Sequence, residues 1–201
     1  MRLAFNLLGY NGFRGFLSMI FFFLYTKIFF PNARFIRGFI DLRGKKNIIF
    51  GNSLTCGIGC RIETKKQGKQ KSLFLGKNIE INDFVHITAF EKVQIGNNVL
   101  LASKIYISDT SHGSYSGDDY DSDPRSAPNK RPLYSKPVII EDNVWLGEFV
   151  SVLPGVTIGE GTIVGANSVV SKSLPANVIA VGSPAKPIKR FNFETKKWEK
   201  I

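Results

Sequence analysis

The 201-residue sequence predicts an all-β protein built as a parallel β-helix. From residue 140 onward, an aliphatic residue occurs at every sixth position. These residues are Ile140, Leu146, Val152, Ile158, Val164 and Val170. The position four residues after each aliphatic is usually small or β-branched, as at Thr162 and Ser168. A unit of one short strand and one turn cannot bury its apolar side chain alone, so we expect stacked coils.

The same spacing extends toward the amino terminus. Its members are Phe50, Cys56 and Ile62, then Leu75, Ile81 and Ile87, then Ile95, Leu101 and Ile107. A slip of two residues at 90–92 separates two of these runs, and an insertion at 113–137 precedes Ile140. A β-sandwich of short strands is the alternative, since it also has regularly spaced turns. The constant step over six consecutive units favours the β-helix.

The amino-terminal segment differs from the rest of the chain. Residues 13–30 are rich in aromatic side chains, but Arg14 and Lys27 leave an uninterrupted run shorter than the ~20 residues of a spanning helix. No small-residue cleavage site follows, which argues against a signal peptide. The basic linker that comes next contains Arg34, Arg37, Arg43, Lys45 and Lys46. Two interpretations stay open: an interfacial anchor on an anionic membrane, or a cap over the open end of the β-helix.

Composition limits the partners. The formal net charge is +11, but the basic residues lie mostly at the two ends and no recognition motif is present, so we expect no nucleic-acid partner. Cys56 and Cys60 occupy inward or near-inward positions without nearby histidines. We therefore predict two buried free thiols in a reducing cytoplasm, and no metal site.

The candidate chemistry lies where the insertion leaves the coils. His112 ends a repeat and precedes an acidic and aromatic loop. An imidazole with an unperturbed pKa of about 6.5 can act as a general base at neutral pH. Asp109 could orient this ring or contact the acceptor, but it could equally be a turn residue, with a backbone carbonyl as the orienting group. His86 faces outward on an earlier coil, where it either lines an acceptor pocket or is a surface residue.

Several motifs resemble the hexapeptide-repeat O-acetyltransferases, the family that contains the maltose and galactoside acetyltransferases. They are residues 95–102 (IGNNVLLA), 107–113 (ISDTSHG), 137–147 (PVIIEDNVWLG), 153–159 (LPGVTIG), 163–170 (IVGANSVV) and 181–186 (VGSPAK). The resemblance covers residues 50–191, and the whole chain looks most like the bacterial lipopolysaccharide O-antigen acetyltransferases. It implies a left-handed parallel β-helix, a homotrimer with active sites between subunits, and acetyl transfer from acetyl-CoA to a sugar hydroxyl.

The resemblance also implies roles for single residues. His112 matches the family's catalytic histidine, and Asn82 matches an asparagine on the acceptor side. A further set matches positions that contact acetyl-CoA: Trp145 at the acetyl end, the Glu148 N–H near the thioester, Ala166 at the pantetheine arm, Lys172 near the nucleotide, and Lys186 and Lys189 at the 3′-phosphate. A backbone N–H near Gly147 is a candidate donor to the reaction's oxyanion. Phe90 replaces a sugar-binding acidic residue of the galactoside enzymes, so we expect the acceptor to be held differently.

The sequence thus predicts three parts: a membrane-associating or capping segment at 1–46, a β-helix acyltransferase domain at 47–185, and a basic extension at 186–201. The expected function is acetyl-CoA-dependent, metal-free O-acetylation of a free or lipid-linked surface polysaccharide precursor. The expected location is the cytoplasm, with peripheral association at the inner face of the plasma membrane. The alternatives are an antibiotic or xenobiotic acetyltransferase and a noncatalytic trimeric scaffold at the membrane. A β-helical carbonic anhydrase would need three histidine ligands, and the chain has two histidines.

Overall fold

One helix and many short strands make up the structure. The computed structural model describes residues 2–65 and 70–201, with side chains from residue 12 onward. Helix α1 (Arg2–Phe29) comes first and is kinked at Gly12. The strands follow in this order: β1 (Phe35–Ile36), β2 (Asp41–Arg43), β3 (Ile48–Phe50), β4 (Thr55–Cys56), β5 (Arg61–Thr64), β6 (Leu73–Leu75), β7 (Glu80–Ile81), β8 (His86–Ala89), β9 (Val93–Ile95), β10 (Leu100–Leu101), β11 (Tyr106–Ser108), β12 (Thr110–His112), β13 (Leu133–Ser135), β14 (Val138–Ile140), β15 (Trp145–Leu146), β16 (Ser151–Val152), β17 (Thr157–Ile158), β18 (Ile163–Val164), β19 (Val169–Val170), β20 (Val178–Gly182), β21 (Ala185–Asn192) and β22 (Lys197–Lys200). Two 3₁₀ turns lie at Lys45–Asn47 and Pro128–Lys130.

Three parallel sheets form the faces of a column. Face A consists of β1, β4, β7, β10, β15, β18 and β20, and continues antiparallel through β21 and β22. Face B consists of β2, β5, β8, β11, β16 and β19, and face C of β3, β6, β9, β14 and β17. The chain therefore passes from A to B to C and back to A, so that each coil stacks on the preceding one. This arrangement is the parallel β-helix that the six-residue spacing predicts.

The core consists of the repeat aliphatics. All six from Ile140 to Val170 are at most 1% exposed, and the earlier inward positions are buried as well, except for Phe50, which is half-buried. Thr162 and Ser168, at corner positions, are also buried. Cys56 and Cys60 are buried free thiols. The sequence-based prediction of the core is therefore confirmed.

Asparagines line the corners between faces C and A. Asn78, Asn98 and Asn143 adopt positive φ angles of 55–60°, a left-handed conformation that asparagine tolerates better than most residues. Their side chains form a ladder: the Asn78 amide donates to the Asn98 oxygen at 3.2 Å, and the Asn98 amide donates to the Asn143 oxygen at 3.3 Å. These corners turn the chain from one face to the next.

The coils begin before residue 47, the expected boundary. β1 pairs with β4 and β2 pairs with β5, so residues 35–43 already belong to faces A and B. Ile36 and Leu42 hold the six-residue step, but the turn Lys45–Asn47 then inserts two extra residues before Phe50. The first coil therefore does not continue the six-residue spacing of the coils that follow it.

The insertion leaves the column between faces B and C. β12 and β13 pair antiparallel outside the three faces, with His112 opposite Leu133. The Lys136 N–H donates to the Asp109 carbonyl at 2.8 Å, and this bond joins the two ends of the insertion at the base of the β12–β13 ribbon. The segment expected as a loop at 113–137 therefore rises on a two-stranded ribbon, because Thr110 already departs from the coil.

The carboxyl-terminal part of α1 packs on the first coil. The buried Thr26 hydroxyl accepts from the Ile36 N–H at 2.9 Å and donates to the Phe22 carbonyl at 2.6 Å. Tyr25 and Phe30 pack against the core, and these contacts support the cap interpretation. By length and composition alone, the 18-residue stretch Gly12–Phe29, with a mean hydropathy of 1.3, is long and apolar enough to cross a membrane, which corrects the expectation that Arg14 and Lys27 leave too short a run. Only 6% of this stretch is buried.

We predict that Ile140→Ala lowers the free energy of unfolding by about 2–5 kcal/mol, because Ile140 is 0% exposed and its truncation leaves a cavity between coils. Ile188→Ala is the matched control, since Ile188 is 43% exposed in β21 and should cost less than about 1 kcal/mol. Urea unfolding followed by circular dichroism measures both. Equal losses for the two variants would contradict this assignment of the core.

Candidate active site

The predicted site residues lie on two edges of the column. At the A/B edge, where the chain turns from face A to face B, the corners at residues 82–85, 102–105, 147–150 and 165–168 stack in that order. Asn82, Gly147, Glu148 and Ala166 belong to this edge. The B/C edge, between faces B and C, carries Phe90, Asp109 and His112.

Several backbone N–H groups on the A/B edge have no acceptor among the described residues, including that of the second residue of each corner: Asp83, Ser103, Glu148 and Ala166. Across residues 2–65 and 70–201, the exposed Glu148 and Ala166 contribute no N–H to any hydrogen bond. The Gly147 N–H instead donates to the Val164 carbonyl at 2.8 Å, as part of the ladder between coils. Of the N–H groups near Gly147 that the sequence offers as oxyanion donors, that of Gly147 is therefore already used by the fold. Glu148 is the donor next to it.

Gly147 has a packing role instead. A Cβ atom there would lie 2.7 Å from the Ala166 nitrogen and 3.0 Å from the Val164 carbonyl oxygen, so no side chain fits. Glycine therefore lets the corners of neighbouring coils approach. Because adjacent strands lie about 4.8 Å apart, the N–H groups of Glu148 and Ala166 form a short column of donors along the edge.

Asn82 and Trp145 flank this column. The Asn82 N–H donates to the Leu101 carbonyl at 2.9 Å, whereas its half-buried side-chain amide makes no hydrogen bond within the described part of the chain. Trp145 lies on face A in register with Leu100 and Ile163, and 47% of it is exposed. The edge therefore offers one amide side chain and one aromatic surface beside the backbone donors.

His112 stands at the end of β12 with its side chain exposed. Its backbone is fixed: the Tyr115 hydroxyl donates to the His112 carbonyl at 2.5 Å, and Arg131 donates to the same hydroxyl at 2.7 Å. The imidazole makes no hydrogen bond to any residue that the structure describes. The fold thus positions the histidine through its main chain and leaves both ring nitrogens accessible to a ligand.

Asp109 does not orient His112. It is 0% exposed, and its carboxylate accepts hydrogen bonds from the backbone N–H groups of residues 90–92 at 2.7–2.9 Å and from the Thr110 hydroxyl at 2.8 Å. These bonds occupy both oxygens, which leaves no position for an acceptor sugar. The predicted acceptor contact is corrected, and the turn-residue alternative accounts for the geometry: Asp109 fastens the corner at 90–92 to the base of the ribbon.

His86 is part of a polar cluster on face B. Its Nε2 atom lies 3.4 Å from Glu63 Oε1 and 3.2 Å from the Thr88 hydroxyl. Burial raises the pKa of Glu63, but hydrogen bonds from Arg61, His86 and Thr88 outweigh burial and hold this pKa below its ordinary value of 4.5. Since His86 directly follows the corner at 82–85, the cluster begins beside the A/B edge.

A cavity of about 410 Å³ opens beside the base of the ribbon. An aromatic ring, amides, hydroxyls and charged groups line it: Asn47, Lys65, Gln70, Ser72, Phe90, Glu91, Leu133 and Ser135. Leu133 is opposite His112, and directly opposed residues of an antiparallel pair project on the same side. His112 therefore projects from the side of the ribbon that faces the cavity.

The lysines predicted at the nucleotide end of acetyl-CoA lie apart, two of them on face A and one on the B/C edge. Lys186 and Lys189 lie in β21, which extends face A through its antiparallel pairing with β20. Lys172 follows β19 and lies on the B/C edge, as His112 does. Lys186 and Lys189 thus continue the face that carries Trp145, whereas Lys172 does not.

The candidate residues of one chain therefore fall into two separate groups. Face B separates them, and a four-residue strand such as β8 spans about 13 Å at 3.3 Å per residue. The imidazole lies on one side of this face and the free N–H groups lie on the other. No cluster of three or more His, Cys, Asp or Glu residues that could hold a metal occurs in the described ranges.

Comparison with known sequences assigns the family. Residues 137–172 match the family described as Bacterial transferase hexapeptide (six repeats). Over 189 residues the chain is 44% identical to the putative lipopolysaccharide biosynthesis O-acetyl transferase WbbJ of Escherichia coli K12, covering 94% of this chain and 95% of that protein. The chain belongs to the hexapeptide acyltransferase family, and it is an acetyltransferase.

Solved structures share the fold. A galactoside acetyltransferase in complex with coenzyme A has a TM-score of 0.52 at 25% identity, covering 94% of this chain and 84% of that one. A mutant of AntD, an N-acyltransferase from Bacillus cereus, in complex with coenzyme A and dTDP-4-amino-4,6-dideoxyglucose has a TM-score of 0.68 at 23% identity, covering 86% of this chain and 90% of that one. The AntD similarity concerns the fold alone. Both structures contain coenzyme A bound to a fold of this kind.

We predict that Asp109→Asn lowers the free energy of unfolding by about 2–4 kcal/mol, because the amide turns one acceptor oxygen into a donor that faces backbone N–H groups. Asp119→Asn is the control, since Asp119 is an exposed aspartate of the insertion. Thermal and urea unfolding compare the two variants. If Asp109→Asn left stability unchanged and raised only the KM for the acceptor, Asp109 would be an acceptor ligand after all.

Proposed function

We propose that the protein is an acetyl-CoA-dependent O-acetyltransferase that modifies a sugar hydroxyl of a bacterial surface polysaccharide precursor, in lipopolysaccharide O-antigen or capsule biosynthesis. The observation that carries this proposal is the position of His112 on one edge and of the free Glu148 and Ala166 N–H groups on another. Acyl transfer needs a base and an oxyanion donor on the same reacting atoms. A second subunit supplies the missing half.

The proposed assembly is a homotrimer of left-handed coils. The B/C edge of one subunit packs against the A/B edge of the next, which is a head-to-tail contact between different surfaces. Such a contact closes into a ring when the rotation fits, and three copies give three equivalent clefts. Each cleft then contains His112 from one chain and Asn82, Glu148 and Ala166 from its neighbour. His86 lies beside the same cleft.

In this cleft His112 is the general base. Its neutral imidazole accepts the proton of the acceptor hydroxyl as the hydroxyl oxygen attacks the thioester carbonyl. The Glu148 N–H donates to the carbonyl oxygen, which becomes negatively charged in the transition state. The thiolate leaves and takes up the proton that His112 holds. The acetyl group passes directly to the sugar, and the balance of atoms requires no covalent enzyme intermediate.

The A/B edge fits the acetyl-CoA co-substrate. The pantetheine arm carries amide carbonyls, which are acceptors for free N–H groups spaced along an edge, as those of Glu148 and Ala166 are. Trp145 offers an apolar surface beside them. Lys186 and Lys189 supply positive charge for the 3′-phosphate, although lysine lacks the bidentate fork of arginine. Lys172 would reach the nucleotide from the neighbouring subunit.

The cavity beside the ribbon is the proposed acceptor site. Sugars present apolar ring faces together with many hydroxyls, so they suit a pocket that combines the Phe90 ring with the amides of Asn47 and Gln70. Phe90 stands where the galactoside enzymes have an acidic residue, which agrees with a different acceptor. The name of the Escherichia coli relative favours a polysaccharide precursor over an antibiotic as the substrate. Acetyl-CoA is a cytoplasmic metabolite, and we place the reaction there.

We predict that His112→Ala lowers kcat by about 10²-fold or more, because the attacking hydroxyl loses its base. Lys197→Ala, an exposed substitution in β22, should keep wild-type turnover. Release of free CoA from acetyl-CoA, in the presence of an oligosaccharide acceptor isolated from the source bacterium, measures both. Unchanged turnover in His112→Ala would remove the general-base role, and an absence of turnover in the wild type would favour the noncatalytic scaffold.

We predict that the double variant Lys186→Ala/Lys189→Ala raises the KM for acetyl-CoA by about 10-fold, because two cations near the 3′-phosphate are removed. With acetyl-dephospho-CoA, which lacks that phosphate, the wild type and the variant should have similar KM values. Steady-state kinetics with both donors separates phosphate binding from a general loss of folding. An equal rise in KM for the two donors would place these lysines elsewhere on the nucleotide.

A further inference from the structure

Helix α1 has two apolar faces with different surroundings. One face holds Phe22, Tyr25 and Thr26 and packs on the first coil, where Phe39 adds edge-to-face contacts to Phe22 and Tyr25 at ring-centroid distances of 5.3 Å. The opposite face carries large apolar side chains that are 44–71% exposed, and Phe21 at its border also approaches Phe39 with ring centroids 6.3 Å apart. The side chains of this face are Phe13 (69% exposed), Leu17 (49%), Ile20 (44%), Phe21 (55%), Leu24 (55%) and Ile28 (71%). We call this set the apolar stripe.

The apolar stripe is continuous. Its members follow one another at i, i+4, i+7, i+8, i+11 and i+15, which is the spacing of a single helix face. Single exposed apolar residues are ordinary, but a contiguous row of six large ones is typical of a surface that meets a partner or a membrane. A helix that is apolar on all sides is normally buried on all sides. The packed face of α1 satisfies this rule and the apolar stripe does not.

Cations surround the apolar stripe. Arg14 and Lys27 lie on the same helix, and Lys45 and Lys46 lie in the first coil between β2 and β3, with the Lys45 ammonium 4.8 Å from the centre of the Phe30 ring. In the described residues these four side chains form no ion pair with a carboxylate. The nearby Arg34 and Arg37 differ, since they pair with Glu80 at 3.3 Å and Asp83 at 2.7 Å. The charge left around the stripe is positive.

The positions of the cations favour a helix that lies in the plane of a membrane over one that crosses it. Arg14 and Lys27 are about 20 Å apart at 1.5 Å per residue, whereas the hydrocarbon core is about 30 Å thick. A spanning helix would therefore place at least one of these charges inside the hydrocarbon. The contacts of Tyr25 and Thr26 with the first coil also hold the end of the helix against the domain.

We propose that α1 docks this protein onto an anionic lipid bilayer. The helix lies along the interface, the apolar stripe enters the acyl region, and the surrounding cations contact lipid headgroups. A second copy of the chain is a weaker fit, because two stripes packed together would bring Arg14 and Lys27 of both copies close to one another without carboxylates between them. This inference concerns binding alone and does not depend on the proposed acetyl transfer.

Vesicle flotation of the full chain tests the docking. We expect binding to vesicles that contain about 30 mol % phosphatidylglycerol, weak binding to pure phosphatidylcholine, and loss of binding in high salt. The variant Leu17→Gln/Leu24→Gln should lower the partition coefficient at least 10-fold, since it removes apolar surface that makes no contact with the column. Phe193→Gln/Ile201→Gln is the matched control, because these residues are 67% and 69% exposed at the other end of the chain.

A charge variant tests the headgroup contact separately. Arg14→Gln/Lys27→Gln should weaken binding to the anionic vesicles by about 5-fold for each cation removed and should leave the weak binding to phosphatidylcholine unchanged. Equal binding of wild type and Leu17→Gln/Leu24→Gln would overturn the proposal. So would retention of the chain in membranes washed with alkaline carbonate, which indicates a spanning helix. Stripe-dependent self-association without vesicle binding would identify a second copy as the occupant.

Discussion

The hydrogen-bonded stacking of each coil on the next is the constraint on which the rest of this molecule depends. The Trp145 N–H, for example, donates to the Thr162 carbonyl at 3.0 Å, and the Gly147 N–H donates to the Val164 carbonyl at 2.8 Å. These bonds fix the corners above one another, and the inward aliphatics fill the space that remains between the three faces. The helix, the ribbon and the candidate site residues are attached to this column, so the position of each follows from the coil and the edge on which it lies.

The stacking also explains why the candidate site is divided. A corner residue can meet only those residues that lie above or below it on the same edge. His112 is on the B/C edge and Glu148 is on the A/B edge, so no local rearrangement of one chain unites them. The proposed mechanism needs a base beside an oxyanion donor, and in a rigid column only a neighbouring subunit can bring the two together. This is the physical link between the fold and the proposed trimer.

The six-residue spacing was sufficient to predict the buried core residues of the column. One aliphatic per strand has a single inward direction, and residues such as Ile81, Leu101 and Leu146 are all buried accordingly. The first coil was not predicted, because Ile36 and Leu42 supply only two repeat units before the turn Lys45–Asn47 changes the register. A repeat can be recognised only over several regular units, and the first coil contains too few.

The candidate site was predictable where a role depends on chain position and unpredictable where it depends on hydrogen bonds. The place of His112 at the departure of the insertion is visible in the sequence. The use of the Gly147 N–H by the ladder and the three N–H bonds to Asp109 are not, because both depend on neighbours from other coils. The cavity combines Asn47 and Ser72 with Leu133 for the same reason. Residues far apart in the sequence share it, and no local motif marks them.

The clamped base of the ribbon has a consequence for the segment that it carries. β11 belongs to face B and β14 to face C, so the chain between them replaces an ordinary corner, and the bond from the Lys136 N–H to the Asp109 carbonyl at 2.8 Å joins its two ends. Because its two ends are joined in this way, the length of the segment between β11 and β14 does not affect the coils below and above it. A segment of another length could therefore replace this one and change what the edge of the column recognises, while the pairing of β11 with β8 and of β14 with β9 stays the same.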